Sequence, residues 1–331
     1  MTPTLVRQHV AHAAPRVDLC ARARDWSEIQ ERMLVPLYEA VHERLEVGPG
    51  TRLLGLRCGA GLALLLAAGR GAEVTGVDAA SPERLALARE RLLPGASRGA
   101  SGGAGAGAGS RKDGPRGESR TVATGPGDDG GRGQGPRGES GVGAGGRTRA
   151  RGARLVGGSS RDAAGLEDSP YTLVTVFEPI GCLAGDSEGL GELLADALPL
   201  AARGAAVVLA GWGPPERCAT SSVLRVATKL ADPLRSARSW RPARRDDLEE
   251  VAQRAGLKPD GSGRVACPFG YADTDSAVRG LLSTGLFDAA IAATDAKQVD
   301  KELTEALHPY RRTDGTVWMP NVFRYLVARV P

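Results

Sequence analysis

Two glycines and an acid form the part of the sequence whose spacing could bind a ligand. In "TRLLGLRCGAGLALLLAAGRGAEVTGVDAA", residues 51–80, Gly59 and Gly61 separate an apolar strand pattern from an apolar helix pattern, and Asp78 follows Gly59 by 19 residues. Such a turn lets a ligand approach the backbone, and an acid ending the next strand can bind ribose hydroxyls. The spacing therefore predicts a site for an adenosine-containing cofactor. The alternative is that these glycines only permit tight packing of strand against helix.

A nicotinamide dinucleotide is one of two cofactor classes that compete for this turn. The usual G-x-G-x-x-G spacing, started at Gly59, needs a small residue at position 64, where this chain has Leu64. The short-chain dehydrogenase spacing G-x-x-x-G-x-G does fit Gly55, Gly59 and Gly61. However, that chemistry needs a tyrosine followed four residues later by a lysine, and none of the five tyrosines has one. A nicotinamide oxidoreductase is thus the weaker hypothesis.

The elements that would position these residues alternate between strands and helices. Apolar runs predict strands over 52–56, 73–77, 153–158, 171–177 and 204–212, separated by helices over 61–68, 82–93 and 191–201. This alternation is typical of parallel βαβ units. One amphipathic helix with a kink at Pro36 is predicted over 26–45, and further helices over 217–230, 245–256, 275–294 and 296–310. The segments "RVACPFGY" and "TVWMPNVFRYLVARV" are predicted to be the sixth and seventh strands.

The layout over residues 26–94 and 153–330 resembles the class I S-adenosylmethionine-dependent methyltransferases of the UbiE-like, type 11 group. "LLGLRCGAG" corresponds to the family's glycine motif and "VTGVDAA" to its ribose-binding acid, whereas "YTLVTVFEP" is similar to its fourth strand and "NVFRYLVARV" to its antiparallel seventh. The resemblance implies an α/β fold: a Rossmann-like, seven-stranded, mostly parallel sheet with helices on both faces and an extra helical lid. It also implies S-adenosyl-L-methionine as cofactor and a small-molecule methyl acceptor. The cofactor-binding residues that it implies are Gly55, Arg57, Gly59, Gly61, Asp78, Ala79, Gly158 and Phe177.

Three departures from the family pattern bear on activity. Gly55 stands where the family usually has an acid near the cofactor's amino group, Arg57 stands where it has its first glycine, and "GGSS" (157–160) replaces an acid that often contacts adenine. A lost charged hydrogen bond is worth about 1.5–3 kcal/mol. One hypothesis is therefore a catalytically inactive, methyltransferase-like binding or regulatory module. Another is that Arg57 points away from the pocket and water replaces the missing carboxylate.

The sequence assigns no catalytic residue. Methyl transfer needs alignment and exclusion of water more than a dedicated side chain, so a missing signature is not evidence against it. Glu178, after the fourth strand, is a candidate base, with a solvated strand-end acid as the alternative. The four histidines show no metal-ligand spacing, so no metal site is expected, and the five scattered cysteines include no C-x-x-C pair.

A low-complexity segment interrupts the predicted domain. Residues 95–152 hold 21 of the chain's 46 glycines, no aromatic residue, and ten cations against five anions. Such a composition cannot build a core and predicts a disordered insert. It also accounts for the net charge of +4, so the basic pI gives no support to nucleic-acid binding. The expected division is a flexible tail over 1–25, the domain over 26–94 and 153–331, and the insert between. No signal peptide or membrane span is expected, which favours a cytoplasmic protein.

Overall fold

The computed structural model describes residues 18–93, 152–165, 169–180, 187–231 and 247–331. Its main sheet has seven strands in the order β3-β2-β1-β4-β5-β9-β6. These strands are β1 (Arg52–Leu56), β2 (Glu73–Val77), β3 (Ala153–Val156), β4 (Tyr171–Ile180), β5 (Ala201–Trp212), β6 (Lys258–Ala266) and β9 (Val322–Arg329). The remaining two, β7 (Phe269–Tyr271) and β8 (Val317–Met319), pair with each other in a small antiparallel sheet.

The main sheet is parallel except at one side. β3, β2, β1, β4 and β5 are parallel to their neighbours, whereas β9 runs antiparallel to both β5 and β6. Side chains alternate between the two faces of a strand, so Leu53 joins one core cluster and Leu54 the other. Burial on both faces explains the near-continuous apolar runs of the sequence. The predicted Rossmann-like, mostly parallel, seven-stranded sheet is confirmed.

Helices cover both faces of the main sheet. The α-helices are α1 (Leu19–Asp25), α2 (Val35–Arg44), α3 (Leu62–Gly69), α4 (Pro82–Leu92), α5 (Leu190–Ala197), α6 (Thr220–Ala231), α7 (Asp247–Arg254), α8 (Thr274–Leu282), α9 (Asp288–Ala293) and α10 (Ala296–Leu307). Leu194 of α5 and Val251 of α7 belong to the core cluster of one face, and Leu37 of α2 and Leu64 of α3 to that of the other. Helices α6, α8, α9 and α10 extend this second layer. Their role as a lid stays a prediction.

Prolines divide both of the predicted C-terminal strands, which corrects the sequence-based boundaries. The predicted strand "RVACPFGY" is divided at Pro268 between the end of β6 and the start of β7. The predicted strand "TVWMPNVFRYLVARV" is divided at Pro320 into β8 and β9. Proline has no backbone N–H and cannot continue a ladder of hydrogen bonds. The two short pieces therefore leave the main sheet and pair with each other, Phe269 opposite Met319.

The N-terminal region also differs from the prediction. Helix α1 lies within the predicted flexible tail, residues 1–25, and it begins at Leu19 because the Asp18 carboxylate accepts the N–H groups of Cys20 and Ala21. The predicted continuous helix over 26–45 is irregular over 26–34. Pro36 lies in the first turn of α2, where no N–H is required, and thus starts a helix instead of kinking one.

Two other expectations concern helix 275–294 and the insert. The helix is divided into α8 and α9 around Gly285, whose φ of 81° is left-handed. Residues 1–17 and nearly all of the predicted insert, residues 95–151, lie outside the described residues, so the disorder predicted for them stays a prediction. Among the helices that the structure does describe, none has the length and apolar character required to cross a bilayer.

Candidate functional site

The carboxyl ends of β1, β2 and β4 open onto one cleft. Five of the eight residues predicted to bind a cofactor line it: Gly55, Arg57, Gly59, Asp78 and Phe177. The sheet brings them together because parallel strands end at the same edge, which is where open α/β sheets bind ligands. The fold thus assembles residues that are up to 122 positions apart in the sequence.

The other three predicted residues, Gly61, Ala79 and Gly158, lie outside the lining of this cleft. A Cβ on Gly61 would lie 2.9 Å from Ala88 Cβ, so this glycine lets α3 pack closely on α4. Ala79 is exposed. A Cβ on Gly158 would collide with the Asp162 carboxylate, which caps the turn after β3. Contact of these three with a cofactor stays a prediction, and Gly61 supports the packing alternative for its own position.

Asp78 holds the glycine turn in place. Its Oδ2 accepts the N–H of Gly59 at 3.0 Å, and its Oδ1 accepts those of Ala80 and Ser81 at 2.9 and 3.2 Å. The side chain is only 6% exposed. A carboxylate offers about four lone-pair positions, so Oδ2 can still accept one hydroxyl from a ligand.

Glu31, a residue that the sequence did not nominate, takes a second N–H of the turn. Its Oε1 accepts the N–H of Leu62, the first residue of α3, at 3.2 Å, and its Oε2 pairs with Arg91 of α4. Burial raises the pKa of Glu31, and Arg91 opposes that shift. Arg91 also donates to the carbonyl oxygens of Ala60 and Ser27, which ties the irregular N-terminal segment to the turn.

Arg57 neither points into solvent nor stands alone. Its φ is +49°, in the left-handed region that favours glycine. The resembled family has a glycine at this position. The guanidinium donates to Glu178 Oε2 at 3.0 Å and to the carbonyl oxygen of Glu188 at 3.4 Å. Arg57 lines the cleft, so the hypothesis that it points away from the pocket does not describe this arrangement. Glu178, the candidate base, is likewise engaged in an ion pair.

Trp26, from the irregular segment 26–34, and Arg84, from α4, lie over the glycine turn. The Trp26 indole nitrogen would lie 3.4 Å from a Cβ on Gly59, and the Arg84 guanidinium stacks 4.1 Å from the centre of the Trp26 ring. Arg84 also donates to the carbonyl oxygen of Ser283, next to α8. Burial lowers the pKa of Arg84, and Asp78 and Glu178 oppose that shift. Within the described residues the Trp26 Nε1–H is buried without a hydrogen-bond partner.

The wall behind the cleft is aromatic. The ring centres of Tyr38 and Phe177 are 4.8 Å apart, and His42 meets the same phenylalanine edge-on at 6.0 Å. His42 is fully buried with neither ring nitrogen bonded, and burial lowers its pKa to about 4. Burial also raises the pKa of the Cys58 thiol, which keeps it protonated instead of a nucleophilic thiolate.

The residues that sequence reasoning missed are Trp26, Glu31 and Arg84. All three belong to helical segments that were interpreted as packing elements. One signal in the sequence was available for Glu31: it lies at a position that faces the core with Ser27 and Leu34, where a carboxylate requires a buried partner. Nothing in the local sequence indicated that this partner would be Arg91.

Comparisons with known proteins give structural similarity at low sequence identity. No protein-family model matches the sequence, and no curated protein matches it either. A methyltransferase from Thiobacillus denitrificans, solved with S-adenosyl-L-homocysteine, is 12% identical at a TM-score of 0.48, covering 95% of this chain and 99% of its own. Its counterpart from Geobacter sulfurreducens, also with S-adenosyl-L-homocysteine, is 16% identical at 0.45, covering 96% and 100%.

A third solved structure is geranyl diphosphate C-methyltransferase from Streptomyces coelicolor, with Mg²⁺, geranyl diphosphate and S-adenosyl-L-homocysteine. It is 12% identical at a TM-score of 0.42, covering 91% of this chain and 80% of its own. The class of fold is defined by the strand order and the antiparallel β9 of the chain itself: a Rossmann-like sheet of the class I methyltransferase type. Membership of the UbiE-like group stays a prediction.

Proposed function

We propose that this protein is an S-adenosylmethionine-dependent methyltransferase that acts on a small molecule. The observation that carries the proposal is the use of the turn's own N–H groups. Gly59 N–H is taken by Asp78 and Leu62 N–H by Glu31, so two carboxylates already occupy donors at the start of α3. A cofactor suited to this turn contacts it without a phosphate.

This arrangement disfavours a nicotinamide dinucleotide. The pyrophosphate of such a cofactor binds to free N–H groups at the N-terminus of the helix after the turn. Here Glu31 lies at that helix terminus, buried and 3.2 Å from the Leu62 nitrogen. A second anion beside it would meet electrostatic repulsion. S-Adenosylmethionine carries adenosine and an amino acid but no phosphate.

The residues of the cleft fit such a cofactor. Asp78 Oδ2 retains a position for a ribose hydroxyl, and Gly59 leaves the backbone open where a Cβ would approach Trp26. The unpartnered, buried Trp26 Nε1–H offers a donor in the lining of the cleft. Phe177 and Tyr38 supply apolar surface. Asp78, Gly59, Trp26 and Phe177 would therefore hold the cofactor.

When bound, S-adenosylmethionine supplies a methyl group on a positively charged sulfur. The protein has to bind both reactants, align them and exclude water. Trp26 and Arg84 cover the turn, and the Arg84 bond to the carbonyl oxygen of Ser283 connects that cover to the helical layer. Because Glu178 is paired with Arg57, we assign it to orienting a bound ligand instead of removing a proton as an unpaired base.

Two of the three departures from the family pattern, Arg57 and Gly55, have an explanation other than loss of activity. Arg57 has a carboxylate partner, and Gly55 makes room for Leu64, a Cβ there lying 2.8 Å from Leu64 Cδ2. Neither residue is then a sign of a decayed pocket. We extend the proposal to a small-molecule methyl acceptor, in a cytoplasmic enzyme without a nucleic-acid or membrane partner.

Calorimetry with S-adenosylhomocysteine, S-adenosylmethionine and NAD⁺ tests the cofactor. We expect the two S-adenosyl compounds to bind with micromolar dissociation constants, and NAD⁺ at least about 100-fold more weakly because of the Glu31 carboxylate. Absence of binding at millimolar S-adenosyl compound, or tighter binding of NAD⁺, contradicts the proposal. Screening small acceptors for methyl transfer then separates an enzyme from a binding module.

A matched pair of glycine variants localises the binding. Gly59→Ala adds a methyl group inside the cleft and should weaken S-adenosylhomocysteine binding at least about tenfold. Gly256→Ala adds the same methyl group to another left-handed glycine, with a φ of 74° against 56° for Gly59, where nothing lies within 4 Å of the new Cβ, and should leave affinity unchanged. Equal affinities for the two folded variants would place the ligand elsewhere.

A further inference from the structure

The pair formed by Arg57 and Glu178 lies at the carboxyl ends of two neighbouring strands. β1 and β4 are in register, Leu56 opposite Val176, and Arg57 and Glu178, one and two residues further along, both line the cleft. The guanidinium is 3.0 Å from the carboxylate, and the two side chains are 28% and 52% exposed. Both ends of the pair can therefore be reached by a ligand.

Stability does not explain why an arginine occupies this position. Arg57 has a left-handed φ of +49°, which is costly for a residue with a Cβ. An ion pair with this much exposure typically contributes less to stability than such a backbone conformation costs. A strained residue that persists at a ligand site indicates a hypothesis of function.

On the basis of the proposed function, we infer that Arg57 and Glu178 together recognise the amino-acid end of the cofactor. The guanidinium binds the ligand carboxylate, and the Glu178 carboxylate binds the ligand ammonium, so an internal ion pair is exchanged for two external ones. Glu31 and Asp78 occupy the N–H groups of Leu62 and Gly59, which removes these donors as partners of the carboxylate. The amino-acid end of the cofactor is then bound by the side chains of this pair instead of by backbone N–H groups. Glu178 takes the role of the acid that is absent at Gly55.

The geometry favours Arg57 over Arg84 as the partner of the ligand carboxylate. Arg84 is fixed by its bond to the Ser283 carbonyl oxygen at 2.8 Å and by the Trp26 ring. Arg57 is held by Glu178 and by a longer contact of 3.4 Å to the Glu188 carbonyl oxygen.

Two ligands that differ only at the amino-acid end test the inference by calorimetry. S-Adenosylhomocysteine carries this end, whereas 5′-methylthioadenosine keeps the adenosine and the sulfur without it. We expect the wild-type protein to bind S-adenosylhomocysteine at least about tenfold more tightly. Arg57→Gln and Glu178→Gln should each remove about tenfold of this affinity while changing the affinity for 5′-methylthioadenosine less than about twofold.

A surface ion pair outside the cleft provides the control. Arg161→Gln breaks the pair with Asp196, in which the two side chains are 76% and 24% exposed, and should leave both affinities unchanged. Equal wild-type affinities for the two ligands would overturn the inference while leaving adenosine binding intact. Equal losses for both ligands in the Arg57 and Glu178 variants would overturn it as well. Failure of both ligands to bind the wild type would overturn the proposed function too.

Discussion

Gly55 and Gly76 lie directly opposite each other on β1 and β2, and the Leu64 side chain fills the space that both leave open. A Cβ on Gly55 would lie 2.8 Å from Leu64 Cδ2, and one on Gly76 would lie 2.6 Å from Leu64 Cδ1. Helix α3 therefore packs closely on the strands beside the glycine turn. The missing acid at position 55 is thus explained by packing.

An acid introduced at position 55 is expected to compete with Leu64. Gly55→Asp should lower the free energy of unfolding by about 1–3 kcal/mol through overpacking, and Leu64→Ala by about 2–5 kcal/mol through a cavity. The double variant should be at least about 1 kcal/mol more stable than the sum of the single effects predicts. Urea unfolding of all four proteins measures this coupling. Additive effects would mean that the two side chains do not share space.

The left-handed conformation of Arg57 predicts a difference between two truncations. Arg57→Gly and Arg57→Ala both remove the ion pair with Glu178, so their comparison isolates the backbone. We expect the glycine variant to be more stable by about 1 kcal/mol, because a Cβ is strained at a φ of +49°. Urea unfolding gives the two values. A more stable alanine variant would contradict the conformation described for this residue.

Asp78 should contribute to folding as well as to binding. Asp78→Ala leaves the N–H groups of Gly59, Ala80 and Ser81 without their acceptor, and we expect a loss of about 3 kcal/mol in the free energy of unfolding. The affinity for S-adenosylhomocysteine should also fall about tenfold or more. Thermal unfolding and calorimetry measure the two effects separately.

Asp295 offers a matched control for this prediction. Its carboxylate also accepts a backbone N–H, that of Gln298 at the start of α10, but it is exposed and does not line the cleft. Asp295→Ala should cost about 1 kcal/mol and leave ligand affinity unchanged. A similar loss of affinity in the two variants would show that lower stability, not a missing contact, weakens binding.

His42 should make the stability depend on pH. Its pKa is about 4 in the folded protein, below the ordinary value of 6.5, because burial disfavours the charged ring. The neutral ring's contribution to the free energy of unfolding is present above pH 6.5. It is lost as the pH falls towards 4, because the unfolded chain binds the proton at a higher pH than the folded protein does. Between pH 7.5 and 5.0 this loss amounts to about 2 kcal/mol.

Urea unfolding at those two pH values checks the His42 prediction. His42→Leu removes the titrating ring and the two unpartnered nitrogens, so its stability should fall less on acidification by about 2 kcal/mol. Val41→Ala creates a cavity in the same helix without removing a titrating group, and should be destabilised equally at both pH values. The same slope in His42→Leu as in the wild type would refute the assignment.

The sequence by itself determined the sheet and the position of the turn. The bounds of β1 and β2 agree with the predicted strands over 52–56 and 73–77, and Asp78 meets Gly59 at the strand ends. These features follow from local pattern: strands buried on both faces are continuously apolar, and turn residues have fixed backbone preferences.

Only the tertiary structure decided the chemistry around the turn. The partners of Arg57 and Leu62 are Glu178 and Glu31, which lie 121 and 31 residues away along the chain. Burial and proximity of this kind depend on how helices pack over the sheet, and no local pattern encodes them. From the sequence alone, Arg57 and Gly55 therefore led to the hypothesis of an inactive module. The folded chain instead gives Arg57 a carboxylate partner and fills the space above Gly55 with Leu64.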